Sequence, residues 1–287
     1  MKIIFAADVH GIERLYEQLF LLVSGNRPDA VLLGGDLLPK EGPFEESMEE
    51  QRHFVVRCLE PKLLEIRSLF PATEWFVMLG NEDWFYHIAL FQDMEFRGLV
   101  KLIHNRRHVL RNGLEVIGYS HVPPTPFSNK DGERRDLPDV PETPQQFLPC
   151  LSTKAGLRYI RRESYFRAQP TQWEELEALP RPSDPGKAVY VMHSPPWGTN
   201  LDILHDGSHA GSRAIRRFIE ERQPLLTLHG HIHESPFVSG NFTDRIGSTL
   251  CMNPGHAPER LSAIVLEGGA EGFIYRHTIL ETPAPLP

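Results

Sequence analysis

Apolar positions along the chain fall into short runs, each stopped by a polar cluster. Runs at residues 2–7, 30–33, 75–79, 188–192 and 225–228 end at Asp8, Gly34, Gly80, His193 and His229. Their length and their Val, Ile, Leu and aromatic content predict buried strands. Between the early runs the period lengthens, so residues 12–23 and 46–69 predict helices. In the second of these, Phe54, Leu59, Leu63, Ile66 and Leu69 approximate one apolar face. This alternation argues for parallel strands joined by crossover helices. Residues 84–96 and 212–222 read as further helices, and 114–119 as another strand.

The pattern then changes. Residues 120–150 carry Pro123, Pro124, Pro126, Pro138, Pro141, Pro144 and Pro149 with little periodicity, which predicts an ordered loop or a lid. Helices are expected at 154–166 and 173–179, followed by a proline-rich linker. Residues 120–187 are therefore read as an insertion packed near the candidate active-site face of a single domain, 1–287. At 287 residues an α/β chain often forms one unit. The tail, 249–279, reads as short strands with a hairpin turn at Gly268-Gly269.

The polar clusters that stop the strands are Asp8-Val9-His10, Gly35-Asp36, Gly80-Asn81-Glu82-Asp83, His193 and Gly230-His231-Ile232-His233. Strand carboxyl ends in α/β proteins converge on one crevice, so five such ends point at one site. Taken singly, an Asp after a strand is as well explained as a helix cap, Asn81 as a turn residue and a lone His as structural. Five clusters in order are a different signal. Carboxylate, imidazole and amide oxygen together suit Mn, Fe or Zn. Asp8 and His10 share a parity, as do His231 and His233, so an extended backbone would present each pair to one side. His229 shares that parity too, and reads either as a partner orienting a ligand imidazole or as a buried strand-end histidine.

In this order, Asp8-x-His10, Gly35-Asp36, Gly80-Asn81, His193 and Gly230-His231-x-His233 resemble the motifs of the calcineurin-like metallophosphoesterase superfamily. The motifs run from residue 8 to 233, and the β-rich tail fits too. The resemblance implies a four-layer α/β/β/α sandwich of two mixed β-sheets flanked by helices. It implies two divalent transition-metal ions, Mn, Fe or Zn. Asp8, His10, Asp36 and His233 would hold the first, and Asp36 would bridge to a second held by Asn81, His193 and His231. Two ions about 3.5–4 Å apart clamp the attacking and leaving oxygens of an in-line displacement, with a bridging hydroxide as nucleophile. No Ser, Cys or His nucleophile is then required, and Asp36, Asn81, Glu82 and His193 become the candidate catalytic residues. The run from Thr199 to Gly207, Gly211-Ser212 and His229 to Pro236 also resembles a branch related to bacterial cyclic nucleotide phosphodiesterases.

One departure stands out. Where the family usually has His after the motif Asn, this chain has Glu82. Beside two cations a carboxylate should be depressed in pKa and ionised, hence a poor proton donor. Asp83 is expected either to hold a neighbouring side chain or to cap the helix near Trp84. His121, His205 and His209 are the histidines that could replace the missing acid, each otherwise an ordinary loop residue. Lys130, Arg134 and Arg135 read either as a solvated loop face or as contacts to a distal substrate charge. The helix after Ser212 offers an N-terminus that favours an anion.

A net charge of −8 without a basic stripe argues against dedicated nucleic-acid binding. A small phosphorylated substrate stays allowed, because bound metals reverse the local field. Cys58, Cys150 and Cys251 have no paired spacing. The first apolar run is too short for a signal-peptide core or a membrane span, so a cytoplasmic location is expected. The expected function is a binuclear metal-dependent phosphoesterase favouring phosphodiesters or nucleotides. The alternatives are a phosphomonoesterase or protein-phosphatase-like enzyme, or a catalytically weak metal-binding scaffold.

Overall fold

A computed structural model describes residues 1–141 and 143–280. The elements run β1 (Lys2–Ala6), α1 (Glu13–Asn26), β2 (Ala30–Gly34), α2 (Ser47–Phe54), α3 (Glu60–Leu69), β3 (Glu74–Met78), α4 (Ile88–Phe96), β4 (Lys101–Leu102), β5 (Arg107–Val109) and β6 (Glu115–Tyr119). There follow β7 (Cys150–Thr153), β8 (Gly156–Tyr159), α5 (Arg162–Arg167), α6 (Gln172–Glu177), β9 (Ala188–Met192) and α7 (Arg213–Arg222). The chain ends with β10 (Leu226–Leu228), α8 (Ser235–Ser239), β11 (Thr243–Ile246), β12 (Thr249–Met252), β13 (Ile264–Gly269) and β14 (Gly272–His277).

Among the described residues, two six-stranded sheets form, in the orders β14-β13-β1-β2-β3-β4 and β11-β12-β10-β9-β6-β5. Both are mixed: β1 pairs parallel with β2 and antiparallel with β13, and β10 pairs parallel with β9 while β11 pairs antiparallel with β12. Strand alternation divides the core into layers. Ile3, Phe5, Leu32, Phe76 and Met78 meet Val116, Val189, Val191, Leu228 and Met252 between the sheets. Ile4, Ala6, Val31, Leu33 and Val77 face the other way, onto Leu15, Leu19, Leu63 and Phe91 of the helices. Tyr190 and Met192 pack on Ile215, Phe218 and Ile219 on the far side. The result is the expected α/β/β/α sandwich. No helix among the described residues is long and apolar enough to cross a membrane.

Several local expectations change. The helix read over 46–69 is wound as a π turn at Val55–Leu59, because Pro61 has no N–H to give the preceding turn and its ring crowds the carbonyl four residues back. Residues 154–166 are not one helix: β7 and β8 form a hairpin and only Arg162–Arg167 is helical. The turn is built on Gly156, at φ +100°, with the Thr153 hydroxyl donating to the Gly156 carbonyl at 2.7 Å. In the tail the turn lies at Ala270 and Glu271. Gly268 and Gly269 are strand residues opposite Phe273 and Gly272, held by the Gly268 N–H donating to the Met1 carbonyl at 2.9 Å. Strands β4, β5 and β11 have two to four residues, too few for periodicity to register.

Between β6 and β9 the chain leaves the second sheet and docks on the loop after β3. Asp131 accepts from the Phe85 N–H at 3.1 Å, and the Ser152 hydroxyl accepts from the Tyr86 N–H at 2.9 Å. Lys130 does not lie on a solvated face. It is fully buried, its Nζ donating to both Glu133 carboxylate oxygens and to the Thr125 carbonyl, each at 2.9 Å. Burial pushes the Glu133 carboxyl up to about 7 despite the lysine's pull. The anion at the start of α7 is the protein's own: Asp136 accepts from the Arg213 and Ala214 N–H groups at 2.8 and 3.0 Å. Because an isolated buried charge costs more than the pair returns, Glu133→Gln should destabilise the fold by about 3–5 kcal/mol. Replacing both partners, Lys130→Met with Glu133→Leu, should cost far less. Urea unfolding of the two variants checks this, and equal losses would show that the pair is not acting as a unit.

Candidate functional site

The carboxyl ends of β1, β2, β3, β9 and β10 open onto one rim, and the polar clusters turn inward there. They do so through backbone conformation rather than strand parity. Seven non-glycine residues among those described have left-handed φ; four of them are Asp8 (55°), His10 (50°), Asp36 (53°) and His231 (67°). Such residues store strain, and they concentrate where a structure needs side chains aimed against local preference. The strain is held by lacing between loops. Asp8 N–H donates to the Gly35 carbonyl and His10 N–H to the Asp36 carbonyl, both at 2.9 Å. Both Asp8 oxygens accept from the His231 N–H, at 3.1 and 3.0 Å. Asp36 Oδ1 accepts from the Glu82 N–H at 2.8 Å.

Two ligand groups result, sharing one carboxylate. Asp8, His10, Asp36 and His233 offer atoms all within 4.8 Å of one another, and Asp36, His193 and His231 do the same. His231 and His233 therefore do not face one point, as equal parity predicts; they serve different groups, with Ile232 buried between them. Asn81 Oδ1 joins the second group, 3.1 Å from His193 Nε2, which lies 3.3 Å from Asp36 Oδ2. His193 Nδ1 bonds the Gly34 carbonyl at 2.8 Å, so that nitrogen carries hydrogen and Nε2 is the atom turned inward. Two glycines make the approach possible. A Cβ at Gly80 would stand 2.2 Å from Asp36 Oδ1, and one at Gly230 would stand 2.4 Å from Asp8 Oδ2.

The donor set fits cations. His10 Nε2 and His233 Nε2 are 3.0 Å apart, a contact that needs a proton or a cation between two lone pairs. His233 Nε2 is also 3.4 Å from Asp8 Oδ1, and the buried Nδ1 of His10 has no partner. Burial raises the Asp8 carboxyl, but the hydrogen bond and charge of His233 outweigh it and hold it at about 2. Burial likewise raises Asp36, and His193 pulls it well below the ordinary carboxylate range. Burial lowers His193, yet Asp36 and then Asp8 bring it up to about 9. His231, with desolvation dominant, falls to about 3.

The neighbours sort the remaining candidates. Asp83 neither caps a helix nor holds a side chain. Its fully buried carboxylate accepts the N–H groups of Leu37 (3.0 Å), Leu38 (2.8 Å) and Gly80 (2.8 Å), tying the Asp36 loop to the Asn81 loop. His229 takes the strand-end role: Nδ1 lies 3.0 and 2.9 Å from the carbonyls of Met192 and Ser194, gripping the chain on both sides of His193. Glu82 is not depressed in the metal-free protein. Burial first, then the charge of Asp36, pushes it up to about 7. His121 is buried behind Phe85 with Nδ1 bonded to Glu175 at 2.6 Å, and it does not line the cavity over the clusters. His209 does line it, its Nδ1 held by Asp202 at 2.8 Å.

That cavity measures about 700 Å³ and is bounded by Asp36, Asn81, Glu82, His231 and His233 on one side. Pro123 to Phe127 of the insertion roof the other side. Two of the residues at the site escaped sequence reasoning. Lys40 lines the cavity four positions after Asp36. His256 stands edge-on to His10 and beside His233, ring centroids 5.3 and 5.0 Å away. The signal for His256 was present: Gly255-His256 comes soon after the apolar run of β12, as Gly230-His231 comes after that of β10.

Among solved structures, one at 17% identity aligns over 96% of this chain and 97% of its own, with a TM-score of 0.59. A dimetal phosphatase from Danio rerio aligns over 96% and 98% at 11% identity and a TM-score of 0.51. TT1561 of Thermus thermophilus aligns over 96% and 98% at 16% identity and a TM-score of 0.49. At these identities the first two likenesses concern the fold. No curated protein sequence matches the chain. The sequence profile of calcineurin-like phosphoesterases matches residues 1–235, so the chain belongs to the calcineurin-like phosphoesterase family of metal-dependent phosphoester hydrolases.

Proposed function

We propose that the protein is a binuclear metal-dependent phosphoesterase acting on small phosphodiester or nucleotide substrates. The observation that carries this reading is Asp36, a buried carboxylate that belongs to both ligand groups. Asp8, His10 and His233 would hold one ion with it, and Asn81, His193 and His231 the other. Mixed oxygen and imidazole donors suit Mn, Fe or Zn. When bound, such a pair supplies Lewis acidity at the phosphoryl oxygens and a nucleophile derived from water.

The chain's own groups do the rest. Asp83 fixes the spacing of the loops that carry Asp36 and Asn81, as the three N–H bonds above describe. Lys40 draws an anionic substrate toward the clusters. The cavity lining carries the acids Glu82 and Glu234 beside that lone lysine, which favours the single charge of a diester over the dianion of a monoester. Bound cations would neutralise the Asp36 charge that helps raise Glu82 and would favour its ionised form. Glu82 then has no proton to give the leaving oxygen.

Three outcomes are expected. Asp36→Asn should abolish hydrolysis and lower metal affinity by more than the 10–100-fold typical of an outer-shell change; two retained ions by elemental analysis with a near-normal rate would defeat the bridging role. Metal uptake should release a proton, because His193 stays protonated below about pH 9 in the metal-free site and its Nε2 must be bare to bind. Affinity should therefore rise with pH up to about 9, and calorimetry in buffers of different ionisation enthalpy should count close to one proton at pH 8. No proton release would place the metal elsewhere. Finally, the rate should fall steeply as leaving-group pKa rises, and Glu82→His should flatten that dependence by up to the roughly 10²–10⁴-fold of general acid catalysis. Equal slopes across a series of aryl and alkyl diesters would remove Glu82 from the leaving group.

A further inference from the structure

Beside the cavity over the clusters lies a second one of about 540 Å³, which shares Lys40, Glu82 and Phe127 with the first as a common border. Its walls come from several separate stretches of chain: Phe44 and Trp84 from loops of the sandwich, Phe127 and Phe147 from the proline-rich loop, and Tyr159 from β8. Phe127, Phe147 and Tyr159 are 47%, 56% and 56% exposed, and Leu148 beside them 72%. Large apolar side chains left open at one place mark a surface meant to be covered.

The polar side chains of the inner wall are engaged with the protein itself. Ser47 Oγ donates to the Phe44 carbonyl and accepts from Trp84 Nε1. Gln51 Nε2 donates to the carbonyls of Pro39 and Glu82, and its Oε1 accepts from the Trp84 N–H. Asn129 Nδ2 donates to the Asp83 carbonyl while its Oδ1 accepts from the Asp131 N–H. Beyond these, the polar side chains of the lining are Lys40, Glu82, Ser128 and Tyr159. An occupant that carries a row of donors and acceptors, such as a nucleobase, would have only those few side chains to meet them, and each group left unmatched is costly. An aromatic hydrocarbon group loses nothing and gains stacking area.

We infer that this cavity is a substrate subsite for an aromatic or bulky apolar ester group attached to the phosphate. The inference rests on the reading of the ligand clusters as the phosphate site, and it narrows that reading from phosphodiesters in general to aryl or large apolar ones. The common border of Lys40 and Glu82 sets the arrangement: the lysine faces the phosphate charge at the mouth while the ring lies among Phe44, Phe127, Phe147 and Tyr159. The insertion thereby selects substrate by supplying three of the aromatic walls.

The test separates binding from turnover. Calorimetric titration of the full chain, with and without Mn, uses four probes whose ester bonds, where present, lead only to poor alkoxide leaving groups: the monomethyl ester of (1-naphthylmethyl)phosphonic acid, the monomethyl ester of methylphosphonic acid, thymidine 5′-methylphosphonate and 1-naphthylmethanol. The naphthyl phosphonate should bind at least about tenfold tighter than each of the others, the scale on which apolar pockets discriminate. In a Phe147→Ala/Tyr159→Ala variant its affinity should fall to that of the methyl compound. Both residues are exposed, so the fold should tolerate the change, and Phe96→Ala, 91% exposed on α4, should leave the preference intact. Equal affinity of the two phosphonates, tighter binding of the thymidine compound, or naphthylmethanol binding as well as the phosphonate would each overturn the subsite. Hydrolysis of bis(p-nitrophenyl) phosphate is read separately. A preserved naphthyl preference without hydrolysis would overturn the phosphoesterase reading and leave the subsite standing; hydrolysis without the preference would do the reverse.

Discussion

Two carboxylates, Asp8 and Asp36, are buried to 0% and 1% exposure at the ends of adjacent parallel strands. Charges so placed must be compensated, because the desolvation of a lone buried carboxylate amounts to several kcal/mol. The chain supplies backbone N–H groups from Glu82 and His231 and imidazoles from His193 and His233. The His193 imidazole is held protonated at a cost of its own, so the metal-free site resolves one difficulty by creating another: His193 is driven up to about 9 while His231, a few ångströms off, is driven down to about 3. On the proposed reading, a pair of divalent cations would relieve both, pairing Asp8 and Asp36 and binding His193 with its Nε2 bare. The sandwich is arranged around that requirement. Left-handed backbone at four ligand positions, glycines at 80 and 230, and the Asp83 tie between loops all serve to keep anions close that would otherwise separate.

The buried strands and the polar clusters at their ends could be read from the sequence because both depend on short-range regularities, whereas the second sheet came only with the family resemblance. A buried strand is an apolar run of four to six residues, and a site at strand ends places its polar residues immediately after such runs. What sequence could not supply was direction. Asp8 and His10, or His231 and His233, look like pairs facing one way only if the chain stays extended. In the structure it turns left-handed, and His231 and His233 go to different groups, as the family resemblance implies but parity alone does not. His256 escaped for the converse reason, since its Gly-His pair soon after a strand was legible but lies outside the motif order that drew the eye.

The insertion was the least legible part, again for physical reasons. Its order comes from pairings over long sequence separations that no periodicity encodes: Arg134 and His121 on Glu175, Asp136 on the start of α7, and Asp131 on Phe85. Lys130 looks like a solvated residue in any window, and only the fold shows Glu133 and the Thr125 carbonyl closing around it. A loop with seven prolines, few regular elements and a buried ion pair is stiff without being helical. Stiffness suits a roof over a cavity, because a flexible roof would have to be ordered by each substrate that enters.

Glu82 and Asp83 show how neighbouring residues of one type come to do different work. Both carboxyls are pushed up to about 7, in each case by burial first and by the Asp36 charge second. Asp83 spreads its charge over three backbone N–H groups and has no path to solvent or substrate, so changes at the site reach it only through the loops it joins. Glu82 turns the other way. Its backbone N–H holds Asp36, its carbonyl is held by Gln51, and its carboxylate, accepting from Asn81 Nδ2 at 3.2 Å, borders both cavities. Its ionisation therefore depends on what fills the space beside it: with the clusters bare it shares in the repulsion of Asp36, and with cations bound it becomes the negative wall that an incoming ester must pass. A ring without acceptors of its own passes that wall more easily than a polar one, which links the residue that replaces the family histidine to the aromatic lining behind it.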